Sequence, residues 1–289
     1  MLLINTIAVI ISLDEKNGLL YYTNDISLCI TVISFYIAVI SLISWEMYKF
    51  MKKEYLKIEQ IPSILWGDTS QKLYLFIHGK DGSKEDAKTF ANIATQYGWQ
   101  VLSVDLPEHG ERNLETNSFD PWHVVPELLT IMNYAKSNWK RFGLRANSIG
   151  AWFSLLCFTD ESFETCQFVS PILDMHQLIC NMMQWASVTE SQLQTEKTIE
   201  TSFGQTLSLD YLTYAKEHHI TKWPLLTYIL YAEHDNLTDY IVVDQFTKNF
   251  RCKLTIMEHG EHWFHTPEQL KFMEQWTIAT FEDQINSFQ

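Results

Sequence analysis

From residue 54 onward, short runs rich in β-branched and aromatic residues alternate with longer helical patterns. Strands that alternate with helices in this way build a mostly parallel sheet covered on both faces. The sequence therefore predicts an α/β fold with a doubly wound sheet, whose first two strands pair antiparallel. The predicted strands are EYLKIEQ, IPSILWG, KLYLFIHG, QVLSVDLP, RFGLRANS, ETCQFVSP, PLLTYILYAEHD and CKLTIMEHG.

Residues 174–223 interrupt this alternation, because the helical patterns MHQLICNMMQWASVTESQLQ and LSLDYLTYAKEHH follow one another without a strand between them. Such an insertion can cover the carboxyl ends of the strands, where open α/β sheets bind ligands. The sequence predicts a core of residues 51–173 and 224–289 with a helical cap at 174–223. Packing onto the core is the simpler explanation for most Met and aromatic residues of the cap. Three of them are nevertheless candidate substrate contacts: Met182, Trp185 and Tyr211.

The hydrophobic extension at residues 1–50 differs from the rest of the chain. Residues 26–45 are twenty residues without a charge, which is long enough for a helix that crosses a bilayer. Acidic residues precede this segment and lysines follow it, so that a spanning helix would leave the following domain in the cytoplasm. Alternatively, translation starts at Met51 and the segment is absent from the mature protein. Both interpretations predict a cytoplasmic main domain.

The charge and cysteine content exclude several classes of protein. A net charge of -14 argues against a nucleic-acid partner and against binding of the main domain to anionic lipid. The five cysteines include no C-x-x-C pair, which favours reduced thiols over a disulfide framework or a zinc site. The sequence predicts a small-molecule partner and no cofactor, and it leaves the oligomeric state open.

Ser148 lies where a predicted strand gives way to a predicted helix in RFGLRANSIGAWF. Residues 146–150 approximate the G-x-S-x-G turn that exposes a nucleophilic serine above an α/β sheet, with alanine in place of the first glycine. If the turn required a positive φ at Ala146, the alanine would cost about 1 kcal/mol or more. If close packing alone is required, alanine is tolerated. Ser148 is therefore the candidate nucleophile.

A nucleophilic serine needs a histidine base and a carboxylate that orients it. Asp235 lies at the carboxyl end of the strand LLTYILYA and is the candidate acid. Asp174, after FVSPIL, is the second candidate, and Asp239 is interpreted as a helix cap. His262, in MEHGEHWFHTPEQL, is the candidate base, because it follows a glycine turn from which it can reach back to the serine.

His259, His262 and His265 recur at intervals of three residues, a spacing that also suggests metal ligands. A loop interrupted by Gly260 would not present all three on one face, and no further ligand stands out. The sequence therefore predicts no metal site. His259 is assigned to the strand end and His265 to the approach to the last helix.

Oxyanion donors are expected from the residue after the nucleophile and from the loop after an early strand. HGKDG, residues 78–82, supplies a glycine-bracketed loop after the strand KLYLFI. Backbone N–H groups suit this task because they are already oriented and do not reorganise during the reaction. The predicted donors are the backbone N–H groups of Lys80 and Ile149.

These motifs resemble those of bacterial α/β-hydrolases of the serine hydrolase superfamily, in the branch of esterases, monoacylglycerol-lipase-like enzymes and serine aminopeptidase-like proteins. The resemblance covers about residues 54–284 and rests on LFIHGKDGSKEDA, VLSVDLPEHGER, ANSIGA, LYAEHDNLTD and GEHWFHTPEQL. It implies the α/β-hydrolase fold and a site with five members: Ser148 as nucleophile, Asp235 as acid, His262 as base, and Lys80 and Ile149 as oxyanion donors.

The resemblance also implies the hydrolysis of carboxylic esters through an acyl-enzyme. Peptidase or amidase, thioesterase and acyltransferase activities are alternatives on the same fold. A catalytically inactive, membrane-tethered binding protein is an alternative of a different class. Two features depart from the family pattern, namely Ala146 and the hydrophobic extension. In DLPEHGER, His109 is assigned a structural role.

Overall fold

The structure is a computed structural model, and it describes residues 51–287. The hydrophobic extension, with the predicted membrane segment at residues 26–45, lies outside the described residues. Among residues 51–287, no helix combines the length and the apolar character needed to cross a membrane.

Ten strands form within the described residues. Eight of them make one sheet in the order β1-β2-β4-β3-β5-β6-β9-β10, and β7 and β8 make a separate hairpin. In the large sheet β2 is antiparallel to β1 and β4, while the other neighbours are parallel. The bounds are β1 Lys53–Ile58, β2 Ile61–Trp66, β3 Lys72–Ile77, β4 Gln100–Val104, β5 Arg141–Asn147, β6 Phe163–Val169, β7 Thr198–Glu200, β8 Thr206–Ser208, β9 Thr227–His234 and β10 Cys252–Glu261.

Helices cover both faces of the sheet. Of the helices within residues 51–287, the first and the last, α1 and α8, share one apolar cluster with one face of the sheet. Helices α2, α3 and α7 contribute to the cluster on the other face. Their bounds, with those of the remaining helices, are α1 Ala87–Ala94, α2 Pro121–Asn138, α3 Ile149–Cys157, α4 Met175–Trp185, α5 Glu190–Glu196, α6 Leu209–Glu217, α7 Tyr240–Asn249 and α8 Pro267–Ser287.

The burial of strand β3 explains why its sequence is apolar from Leu73 to Ile77. Leu73, Leu75 and Ile77 belong to the cluster that includes α2 and α3, whereas Tyr74 and Phe76 belong to the cluster that includes α1 and α8. Successive side chains of a strand point to opposite faces, and both faces of this sheet are buried. This strand is therefore apolar at every position after Lys72.

The insertion between β6 and β9 is less uniformly helical than predicted. The prediction of no strand in this region is wrong, because β7 and β8 pair as an antiparallel hairpin closed by a turn with Gly204 at φ 76°. The helix expected over residues 175–194 is also divided. α4 ends at Trp185, and α5 begins after Thr189, whose side chain accepts a hydrogen bond from the Gln192 N–H. A new N-cap within the apolar pattern explains this break.

Candidate active site

Ser148 lies in the tight turn between β5 and α3. Its backbone adopts φ 49° and ψ −122°, a conformation that L-residues rarely occupy and that is often retained at functional sites. Its N–H donates to the Val169 carbonyl at 2.9 Å, and its carbonyl accepts from the Ile172 N–H at 3.1 Å. The turn is thus held by the neighbouring strand β6 and the residues that follow it.

Small residues allow the end of β3 to approach this turn. A methyl group at Gly150 would lie 2.4 Å from the His78 carbonyl oxygen, and one at Gly79 would lie 3.1 Å from Ser148 Cβ. Ala146 has no positive φ and pairs with Ile77 in the β-ladder. Because position 146 is an ordinary buried strand residue, its alanine imposes no backbone strain.

Three side chains from different strand ends form a continuous hydrogen-bonded chain. Ser148 Oγ lies 2.9 Å from His262 Nε2, and His262 Nδ1 lies 2.7 Å from Asp235 Oδ2. The other carboxylate oxygen, Oδ1, accepts from the N–H groups of Leu237 and Thr238, each at 2.9 Å. Since a carboxylate only accepts, Nδ1 of His262 carries the proton, and its bare Nε2 can accept from the serine hydroxyl.

The hydrogen-bonded chain is buried at its Asp235 end and reaches solvent at its Ser148 end. The Asp235 side chain is inaccessible and that of His262 is 5% exposed, whereas Ser148 is partly exposed. In such an arrangement the histidine can take a proton from the solvent-facing hydroxyl, and the buried carboxylate stabilises the imidazolium that results.

Two buried histidines fasten the loop that contains Lys80. His78 Nε2 accepts from the Leu106 N–H at 3.0 Å, and His109 Nε2 accepts from the Asp81 N–H at 2.9 Å. His78 Nδ1 faces the Gly79 carbonyl, and His109 Nδ1 faces the Pro107 carbonyl. Each ring therefore carries its proton on Nδ1 and accepts through Nε2. Burial lowers the pKa of His78 to about 4.

A buried ion pair supports the same loop and was missed by the sequence analysis. Lys84 Nζ lies 2.6 Å from Asp105 Oδ2, and the Lys84 and Glu111 N–H groups donate to the same carboxylate. The Asp105 side chain is inaccessible and that of Lys84 is 4% exposed. Apart from the acidic residue in VLSVDLP, nothing local in the sequence indicates this pairing.

The predicted oxyanion donors border the turn. A methyl group at Gly79, the residue before Lys80, would lie 3.1 Å from Ser148 Cβ, so the backbone at Gly79 closely approaches the turn. Ile149 is the first residue of α3, where backbone N–H groups have no partner within the helix. The backbone N–H groups of Lys80 and Ile149 remain the predicted oxyanion donors.

The remaining candidate acids and histidines are not part of the hydrogen-bonded chain from Ser148 to Asp235. Asp174 caps α4 by accepting from the Gln177 N–H at 2.9 Å. Asp239 precedes α7, as predicted for a cap position, but its side chain makes no cap hydrogen bond. His259 faces Glu233, and His265 faces Glu261. The three histidines spaced at three therefore do not converge.

The predicted substrate contacts of the insertion have different surroundings. Tyr211 packs on Trp152, four residues after the nucleophile candidate, at a ring-centroid distance of 5.8 Å, and its buried hydroxyl has no hydrogen-bond partner. Met182 packs against the larger core cluster. Trp185 is half exposed and contacts Phe203. A cavity of about 130 Å³ borders α4, α6 and α7, and none of Ser148, Asp235 and His262 lines it.

The comparisons with known proteins find similarity in structure alone. No protein-family model matches the chain, and no curated protein matches its sequence. Solved structures do match. Est1E from Butyrivibrio proteoclasticus is 15% identical, with a TM-score of 0.64 over 81% of this chain and 99% of its own.

Two further matches have hydrolase names. Alpha/beta hydrolase domain-containing protein 10 from mouse is 13% identical, with a TM-score of 0.64 over 82% of this chain and 100% of its own. Esterase Pf2001 from Pyrococcus furiosus is 15% identical, with a TM-score of 0.58 over 81% of this chain and 91% of its own. The protein has the α/β-hydrolase fold, and the predicted fold class is confirmed.

Proposed function

We propose that this protein is a serine hydrolase that cleaves carboxylic esters. The hydrogen-bonded chain from Asp235 through His262 to Ser148 carries the proposal. It joins an acceptor-only carboxylate, a base in the required tautomer and a hydroxyl in a sharp turn, which are the parts that nucleophilic acyl transfer needs.

In the proposed reaction, Ser148 Oγ attacks the ester carbonyl carbon while its proton passes to His262 Nε2. The Asp235 carboxylate stabilises the imidazolium, and the backbone N–H groups of Lys80 and Ile149 donate to the oxyanion. The C–O bond to the alcohol then breaks, and the alcohol leaves with the proton from His262. Water adds to the acyl-enzyme by the same steps and releases the acid.

Tyr211, a candidate substrate contact, lies in a cluster of aromatic rings. Rings from α2, α3 and α6 lie against one another, with centroid distances near 6 Å: Trp122, Trp152, Tyr211 and Tyr214. A buried hydroxyl without a partner, such as that of Tyr211, costs free energy unless a ligand or water satisfies it. Est1E has been solved with ferulic acid bound, so an aromatic ester belongs in the substrate series beside straight-chain esters.

A fluorophosphonate probe, which reacts with activated serines, tests the proposal on the full chain. The unmodified protein should be labelled and should hydrolyse p-nitrophenyl esters, and Ser148→Ala should do neither while keeping its melting temperature. Ser137→Ala, which changes an exposed serine of α2, is the matched control and should be labelled normally. Labelling that persists in Ser148→Ala would refute the assignment of the nucleophile.

The same experiment separates the alternatives. An inactive binding protein would show no labelling in the unmodified chain. A peptidase, amidase, thioesterase or acyltransferase would be labelled at Ser148 but would prefer an amide, a thioester or an added acyl acceptor. Initial rates on matched ester, amide and thioester substrates, with and without an acceptor alcohol, distinguish these activities.

A further inference from the structure

We propose that Glu233, His234 and His259 form a surface site for a divalent transition-metal ion of the Zn²⁺ class. One ligand atom from each of the three residues lies within 4.8 Å of the other two. This proposal departs from the expectation of no metal site, and it uses a set of ligands different from the three histidines spaced along the sequence. It does not depend on the proposed hydrolase activity.

The sheet brings these ligands together. Glu233 and His234 end β9, and β10 runs parallel beside it, with Met257 paired to Ala232 and Glu261 paired to His234. The intervening residues bulge out of the ladder, and His259 adopts φ 57°. Because this pairing is set by the register of two strands, the sequence spacing alone does not reveal it.

A hydrogen bond already holds two of the ligand residues together. The Glu233 carboxylate oxygen Oε2 accepts from the His259 N–H at 2.7 Å. The same oxygen lies 3.3 Å from His259 Nδ1 and 3.9 Å from His234 Nε2. One carboxylate oxygen therefore faces a nitrogen of each imidazole.

These separations are close to what a bound ion requires. Zinc binds histidine nitrogen and carboxylate oxygen at about 2.0–2.2 Å, which places neighbouring ligands of a tetrahedral site about 3.4 Å apart. The 3.9 Å separation between Glu233 Oε2 and His234 Nε2 has to shorten by rotation of the side chains. This rotation is possible because the three side chains are 46% to 83% exposed. Two imidazoles and one carboxylate favour Zn²⁺, Ni²⁺ or Cu²⁺ over Mg²⁺ or Ca²⁺, which prefer all-oxygen ligands.

A bound ion would link the ends of the two strands that lead to the proposed catalytic residues. Asp235 directly follows His234, and His262 lies three residues after His259. An ion that binds the folded state and not the unfolded chain raises the melting temperature. Zn²⁺ is therefore expected to stabilise the protein through the cluster.

Calorimetric titration of the untagged full chain with ZnCl₂ tests the proposal, with Ser148→Ala as the parent so that hydrolase activity is irrelevant. One equivalent of Zn²⁺ should bind and raise the melting temperature, and equal MgCl₂ should do neither. His259→Ala removes an imidazole ligand and Glu233→Gln removes the negative charge of the carboxylate ligand, so each should weaken the affinity by at least about tenfold.

His265→Ala is the matched control, since it removes an exposed histidine that faces Glu261 outside the cluster. It should leave the affinity unchanged. The proposal is overturned if Zn²⁺ does not saturate one site, or if the cluster variants bind Zn²⁺ as tightly as the parent. The second result would place the ion elsewhere, such as on Asp235 and His262. Circular dichroism of each variant shows whether a loss of binding reflects unfolding.

Discussion

Ser148 Oγ and His262 Nε2 lie 2.9 Å apart although the two residues are 114 positions apart in the sequence. One residue follows β5 and the other follows β10, so the parallel sheet brings their strand ends to the same edge. The tautomer that this contact needs is fixed by Asp235, which accepts from His262 Nδ1. The roles of these residues are therefore testable separately.

Asp235→Asn should lower kcat for ester hydrolysis by about 10⁴-fold with little loss of folding. An asparagine amide donates where the carboxylate accepts, so the imidazole would carry its proton on Nε2 and could not accept from Ser148. Steady-state kinetics and thermal unfolding measure the two effects.

Asp174→Asn is the control for that prediction, because Asp174 was the second candidate acid and its carboxylate only caps α4. Asparagine is also a good N-cap, so the free energy of unfolding should change by less than about 1 kcal/mol. Activity should be unaffected. A large loss of kcat in Asp174→Asn with normal kcat in Asp235→Asn would reverse the assignment.

Gly150→Ala should disable the turn, whereas Ala146→Gly should not improve it. A methyl group at position 150 meets the His78 carbonyl oxygen at 2.4 Å, and a displacement of about 1 Å at the nucleophile costs roughly 100-fold in rate. Position 146 has no positive φ, so glycine there should cost about 0.5–1 kcal/mol of stability. Kinetics and urea unfolding of both variants check this contrast. A gain in kcat for Ala146→Gly would contradict it.

Much of the fold and of the candidate site could be predicted because the signals are local. β3 is apolar on both faces, and Ser148, Asp235 and His262 each directly follow a recognisable strand. Parallel strands place such residues at one edge of the sheet. The approach of Gly79 to the turn likewise agrees with a glycine-bracketed loop at that place.

The contacts that could not be predicted join residues that are distant in the sequence. Lys84 pairs with the buried Asp105, and His259 pairs with Glu233. Both pairings follow from the way the strands are arranged. The β7–β8 hairpin was missed because strands of three residues leave too short an alternation to recognise. Such contacts carry no local periodicity.

Asp105→Asn should destabilise the protein strongly. It leaves the buried Lys84 ammonium without its main partner, and loss of one member of a buried ion pair costs about 3–5 kcal/mol. Asp244→Asn, which breaks an exposed pair with Lys248, should cost less than about 0.5 kcal/mol. Urea unfolding at neutral pH measures both. Equal stability of the two variants would show that the buried pair contributes little.

The last prediction concerns the stability of the protein in mild acid. Burial lowers the pKa of His78 from 6.5 to about 4, so between these values the unfolded chain binds a proton that the folded protein does not. The contribution of His78 is therefore complete above pH 6.5 and is lost as the pH falls toward 4. Protonation of His78 in the unfolded chain therefore lowers the free energy of unfolding by about 2–3 kcal/mol between pH 7 and pH 4.5.

His78→Gln isolates this effect from the carboxylates that titrate in the same range. Glutamine offers one acceptor and one donor, like the neutral ring that accepts from the Leu106 N–H and donates to the Gly79 carbonyl, but it does not titrate. Urea unfolding at pH 7, 5.5 and 4.5 should show a shallower loss of stability in the variant, by about 2 kcal/mol at pH 4.5. If both proteins lose the same free energy over this range, protonation of His78 does not limit stability, and the acid sensitivity lies with the carboxylates.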